Sequence, residues 1–191
     1  MKLKPLVAVM PVMFAMLTGC HTMDYSSNND DFSSVFMHPM RAPATVGNTL
    51  ENCIELDKAE IRVAKLAKMK TACPMVKRYS AMIVRDHEQN LKAVHRLSRE
   101  IHVAPTMNAD ADRMREKSAQ RYAKLEMLNG QAFDKEYIES MIHCHHKILA
   151  YLDRAIANST HPKLTAYLKS TQAAVNKHLH EAEELKQQCM H

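Results

Sequence analysis

Beyond Asn48, apolar residues return at helical spacing for about 140 positions, broken only by proline or Asn-Gly junctions. A chain patterned this way is expected to fold as packed helices. Five segments follow from the punctuation. The first runs from about Thr49 to Ala72, and Cys73-Pro74 then sets a proline at the first position of a second helix reaching about His102. Pro105 interrupts the pattern, and a third helix from Ala109 to Leu128 closes at Asn129-Gly130. A fourth, with Phe133 as hydrophobic staple and Asp134 as cap, runs to about Ala157. Asn158-Ser159-Thr160-His161-Pro162 repeats the cap-then-proline device and opens a fifth helix that continues almost to the C-terminus. Composition agrees, since 3 glycines, no tryptophan and 5% aromatics give little material for sandwiches, barrels or glycine-loop nucleotide folds. The expected class is all-α, with one domain over residues 49–191.

The N-terminus is set apart from that domain. Lys2 and Lys4 precede an apolar run from Leu6 to Leu17, shorter than the roughly 20 residues a membrane span needs, so residues 1–19 read as a signal peptide. Its end, Leu17-Thr18-Gly19-Cys20, resembles the lipobox of bacterial lipoproteins, in which the cysteine is diacylated and becomes the mature N-terminus. His21 in the next position is not the aspartate associated with inner-membrane retention, so the expected location is the outer membrane, facing the periplasm. Residues 21–48, rich in Ser, Asn, Asp and Pro, read as a tether that stands the domain off the bilayer, unless Phe32, Val35 and Phe36 dock on its surface. With Lys2 and Lys4 gone, 24 of the 26 basic residues face 21 acidic ones, a net +3. No Lys/Arg cluster is interleaved with aromatics, and nucleic acid is excluded as a partner. The expected partner is the membrane, through the lipid; the sequence identifies no protein partner.

Helical faces then pick out the unusual polar residues. The second helix's stripe passes through Val76, Tyr79 and Ile83 into Asp86 and His87, and on to Val94 and Leu97. In the fourth helix His145 lies four residues after Met141 and four before Leu149. The fifth runs Leu168, Thr171, Val175, His178, Ala182, and the first Cys53, Leu56, Glu60, Val63. His143, His146 and His180 fall toward flanks or polar faces. In an antiparallel hairpin, residues at one level have numbers centred on the turn. Glu60 and His87 centre on Cys73-Pro74, and His145 and His178 on His161-Pro162. If the two hairpins pack as a four-helix bundle, one Glu and three His meet in one layer. Asp86 beside them is either a fifth ligand or an acceptor that orients a ring nitrogen. Imidazole plus carboxylate suits a divalent transition ion: zinc, iron, manganese or copper.

Three stretches carry a family resemblance: Met82-Ile83-Val84-Arg85-Asp86-His87-Glu88-Gln89-Asn90; Phe133-Asp134-Lys135-Glu136-Tyr137 followed by His145; and His178-Leu179. In their order and spacing the chain resembles the bacterial exported ferritin-like family known as domain of unknown function 4142, over roughly Leu50 to Leu185. The resemblance implies a ferritin-like four-helix bundle with an additional helix in the long crossover, and no biochemical activity to inherit. Few core carboxylates and no paired Glu-x-x-His motifs set the chain apart from di-iron ferritins.

The alternatives to a metal centre are plainer. Inward histidines also serve as hydrogen-bonded core residues, and a polar core that fixes helix register would make this a structural or interaction lipoprotein. No Ser-His-Asp, Cys-His or phosphate-loop arrangement is present, so a metal-dependent oxidoreductase is the one activity left to weigh. Four of the 15 methionines lie in the leader; Met69, Met75, Met82 and Met141 read as core filler rather than as soft-metal ligands. Four cysteines remain after Cys20. In an up-down-down-up bundle Cys73 and Cys189 lie at one end, so theirs is the expected disulfide, with Cys53 and Cys144 free and buried.

Overall fold

The computed structural model describes residues 45–189, all but the side chain of Cys189. They form five helices, with no strand among the described residues: α1 (Val46–Lys70), α2 (Pro74–Glu100), α3 (Ala109–Met127), α4 (Gly130–Asn158) and α5 (Pro162–Cys189). The chain is therefore an all-α helical bundle, and no described helix is long and apolar enough to cross a membrane. Pro74 and Pro162 open their helices as the punctuation predicts.

Antiparallel pairs α1–α2 and α4–α5 are the closest-packed neighbours, and α2 against α5 joins the two hairpins. Their direction follows from where the core residues sit. The interior divides into two apolar clusters, one holding Leu50, Ile54, Val94, Leu97, Ile148, Leu152, Leu164 and Leu168, the other Val63, Ala67, Val76, Ile83, Phe133, Met141, Ala182 and Leu185. Chain order through the clusters makes α1 and α5 run one way and α2 and α4 the other, an up-down-down-up arrangement. Helix α3 carries the chain back from Met114 in the first cluster to Leu125 in the second. It lies mainly on α1, held by Arg115 to Glu51 and Glu55 at 3.5 and 3.4 Å and by the Arg62 guanidinium 4.1 Å above the Tyr122 ring.

Three details differ from the sequence reading. Helix α1 starts at Val46, three residues before Thr49, because Thr45 Oγ1 accepts the Asn48 N–H and caps it. Helix α4 starts at Gly130, whose φ of 57° turns the chain within one residue. Asp134 is therefore inside the helix, buried and not its cap, while Phe133 stacks on Tyr137 with centroids 6.1 Å apart. Met141 is core, and Met75 and Met82 pack against it half-buried, but Met69 is 74% exposed. It lies two residues past buried Ala67, about 200° further round the helix, where the packed face has ended.

The connection that leaves α2 sets two local constraints. A Cβ added at Gly47 would sit 2.4 Å from Thr106 Oγ1 and 2.8 Å from the Ala104 carbonyl oxygen, where the α2–α3 connection crosses α1. Gly47→Ala should accordingly lower unfolding free energy by about 1–3 kcal/mol in urea titration. At the end of α2, Val103 N–H bonds Ser98 C=O and His102 N–H bonds Arg99 C=O, a Schellman motif with His102 at the left-handed position, φ 54°. His102→Gly relieves a side chain from that conformation and should raise unfolding free energy by about 1 kcal/mol.

Cys53 and Cys144 are free, buried thiols. Leu185 of α5 shares a cluster with Val76, so the last turns of α5 lie at the Cys73 end of the bundle. The expected bridge to Cys189 falls on a side chain outside the described residues, as do Cys20 and the rest of the N-terminal segment.

Candidate metal centre

Between the two apolar clusters every long core helix changes chemistry at the same height. Apolar positions on α1 stop at Leu56 and resume at Val63, with Asp57 and Glu60 between. On α2, Asp86, His87 and Asn90 lie between Ile83 and Val94; on α4, Cys144 and His145 lie between Met141 and Ile148; on α5, His178 lies between Val175 and Ala182. Asp57, Glu60, His87, His145 and His178 are each at most 4% exposed. The layer is a polar slab between two apolar clusters.

His87, His145 and His178 meet at its centre. Ring centroids are 5.2 Å apart for His87–His178, 5.6 Å for His145–His178 and 6.3 Å for His87–His145. One ligand atom from each lies within 4.8 Å of the other two. Each ring has one nitrogen engaged and one without a partner. His87 Nδ1 pairs with Asp57 Oδ1 at 2.8 Å, leaving Nε2; His145 Nδ1 donates to the Met141 carbonyl at 2.7 Å, leaving Nε2; His178 Nε2 pairs with Asp86 Oδ2 at 3.1 Å, leaving Nδ1. Three buried nitrogens without partners, each on a ring fixed through its other nitrogen by a carboxylate or carbonyl, are the arrangement in which proteins present imidazole to a metal. Around an ion at about 2.0–2.1 Å, tetrahedral nitrogens lie about 3.4 Å apart, so modest side-chain rotation would close the site.

Of the residues singled out from sequence, the three histidines come together, while Glu60 and Asp86 share the polar layer but lie outside that group of mutually close ligand atoms. Asp86 contacts His178 and not the cluster's centre, the orienting role of the two considered. Glu60 binds Arg121 Nη2 through Oε1 at 2.7 Å, and its buried Oε2 has no partner. His146 and His180 are exposed, and His143 is half-buried.

Sequence reading missed Asp57, Asn90 and Arg121. Asn90 Nδ2 donates to both Asp57 oxygens, at 3.1 and 3.0 Å, and to Tyr167 Oη at 2.9 Å, while Thr171 Oγ1 donates to Asn90 Oδ1 at 3.0 Å. This network fixes the carboxylate that fixes His87. Asp57 and Asn90 centre on Cys73-Pro74 just as Glu60 and His87 do, a signal present in the sequence.

Electrostatics favour neutral donors at two of the three rings. Burial pushes His145 down to about 3, and the neighbouring His87 and His178 add to it against the pull of Glu60. Burial, with His87 beside it, brings His178 to about 4 despite the Asp86 carboxylate. His87 goes the other way, because its hydrogen bond to Asp57 and the charges of Asp57, Glu60 and Asp86 outweigh burial. Burial would raise Glu60, but the charge and hydrogen bond of Arg121 outweigh it and drive Glu60 to about 2. At neutral pH the layer holds two lone-pair nitrogens, an ionised carboxylate and one imidazole that shares a proton with Asp57.

Neither a curated protein nor a solved structure matches the chain. One family model does, covering residues 37–185 and so all of the bundle but the last turn of α5. The chain belongs to the family described as domain of unknown function (DUF4142).

Proposed function

We propose that this is an exported, lipid-anchored helical-bundle protein that binds one divalent transition ion in the bundle core, for storage, sensing or protection against metal or oxidative stress. His87 Nε2, His145 Nε2 and His178 Nδ1 are the nitrogen ligands and Glu60 Oε2 the oxygen ligand, while Asp57, the Met141 carbonyl and Asp86 hold the rings. The observation that carries this reading is that three buried rings, each with one nitrogen without a partner, each bring a ligand atom within 4.8 Å of the other two. An unmade hydrogen bond at a buried polar group costs about 1–3 kcal/mol, and a single ion answers all three. Elemental analysis of protein purified from its native envelope without chelators should find close to one equivalent of zinc, iron, manganese or copper.

A second reading has its own support. The Glu60–Arg121 pair and the Asp57–Asn90 network link α1 to α3 and α2 without any ion, as expected of a polar core that fixes helix register. A metal-free native protein whose stability does not respond to divalent ions would favour it. The anchoring part of the proposal rests on Leu17-Thr18-Gly19-Cys20. Cys20→Ala should release the protein from membranes or block its processing; unchanged outer-membrane fractionation would contradict a lipid on Cys20.

A further inference from the structure

The metal reading leaves open what decides which ion the centre accepts, and Arg121 bears on that. It projects from α3, outside the four-helix core, yet its side chain is only 12% exposed. It reaches Glu60 Oε1 through Nη2 and Cys144 Sγ through Nη1, one residue before His145. A guanidinium thus engages both the carboxylate and the thiol that share the buried polar layer with the three histidines, while Glu60 Oε2 stays buried without a partner. Buried Ala111, Met114, Ser118 and Leu125 show that the inward stripe of α3 passes through position 121, so the side chain is held there by its helix.

The consequence is one of ligand number. With Oε1 engaged, Glu60 offers Oε2 alone and cannot chelate through both oxygens. Three imidazole nitrogens and one oxygen make four donors, the number and geometry zinc prefers, whereas manganese favours six oxygen-rich positions. Glu60, His87, His145 and His178 are each at most 4% exposed, which leaves little room for waters to complete a larger shell. We propose that Arg121 is the specificity-determining residue of this centre: by holding Glu60 Oε1 it limits the ion to four protein donors and so favours zinc-like over manganese-like ions. This rests on the metal reading of the same site.

Cobalt(II) is a suitable probe, because four-coordinate Co2+ absorbs strongly in the visible and six-coordinate Co2+ weakly. Wild-type protein titrated with Co2+ should develop the strong band, lose it on adding Zn2+, and retain it against Mn2+. In Arg121→Met, where an unbranched apolar chain replaces the fork, Glu60 is free to bind through both oxygens. The band should weaken, and the ratio of Zn2+ to Mn2+ affinity should fall at least tenfold. A weak, six-coordinate spectrum in the wild type overturns the inference even if the variant does not fold. A folded Arg121→Met with an unchanged spectrum and ratio overturns it while leaving metal binding intact. No Co2+ or Zn2+ binding by the wild type overturns both.

Discussion

With zinc at a thousand times its dissociation constant, the wild-type chain should gain about 4 kcal/mol of unfolding free energy, and His145→Leu should gain nothing. His145 is the informative position because it is fully buried and its Nδ1 bonds the carbonyl of its own helix, so its removal breaks no link between helices. What it leaves behind is a leucine of similar volume between Met141 and Ile148, in place of a ring with a partnerless Nε2. Without metal the variant should match the wild type or exceed it by about 1 kcal/mol, since a buried polar atom without a partner is gone. Urea unfolding with and without zinc separates the two effects. Equal zinc stabilisation of both proteins would move the binding site to the surface.

Acid should destabilise the metal-free bundle well before its carboxylates titrate. His145 and His178 are held neutral in the fold, at about 3 and about 4, against 6.5 for an ordinary imidazole. For a base whose folded value is depressed, stability is complete above the unfolded value and is lost as pH falls toward the folded one, because the unfolded chain takes up the protons first. The window therefore opens near pH 6.5 and runs down to about 4. By pH 5 each of the two histidines removes about 2 kcal/mol, using 1.4 kcal/mol per unit. His87 opposes this in part, since its raised value adds stability as pH falls. Glu60, driven to about 2, adds its own loss only below its ordinary value of 4.5. Unfolding of chelator-treated wild type and His145→Leu at pH 7 and pH 5 should show the variant losing about 2 kcal/mol less. The same acid sensitivity in both would mean that His145 is protonated in the fold.

The bundle and the heart of its polar layer were legible because both depend on periodicity. A turn with a proline at the first helical position fixes the hairpin's centre, and residues level across it follow by subtraction. Glu60 with His87, and His145 with His178, were found that way. Asp57 and Asn90 obey the same relation but hide beside an apolar neighbour, Leu56, and a stripe drawn through apolar residues steps over them. Arg121 was harder. Helix α3 carries charge nearly all round, and its inward stripe of Ala111, Met114, Ser118 and Leu125 is too weakly apolar to stand out in the sequence, so it does not announce that Arg121 lies on it; the partner that accepts the guanidinium, Glu60, is on another helix. The start of α4 is not legible because Asp134 has the chemistry of a cap, whereas the left-handed turn that Gly130 permits opens the helix four residues earlier. Which nitrogen of each ring stays free is a matter of rotamer and partner, and no sequence spacing encodes it.

Zinc-edge X-ray absorption on the zinc-loaded, exhaustively dialysed protein tests the metal centre most directly. The arrangement of His87, His145, His178 and Glu60 predicts one retained zinc with three imidazole nitrogens and one oxygen at about 2.0–2.1 Å. Zinc that dialyses away, or a retained ion surrounded by sulfur or mainly by water oxygens, would contradict it.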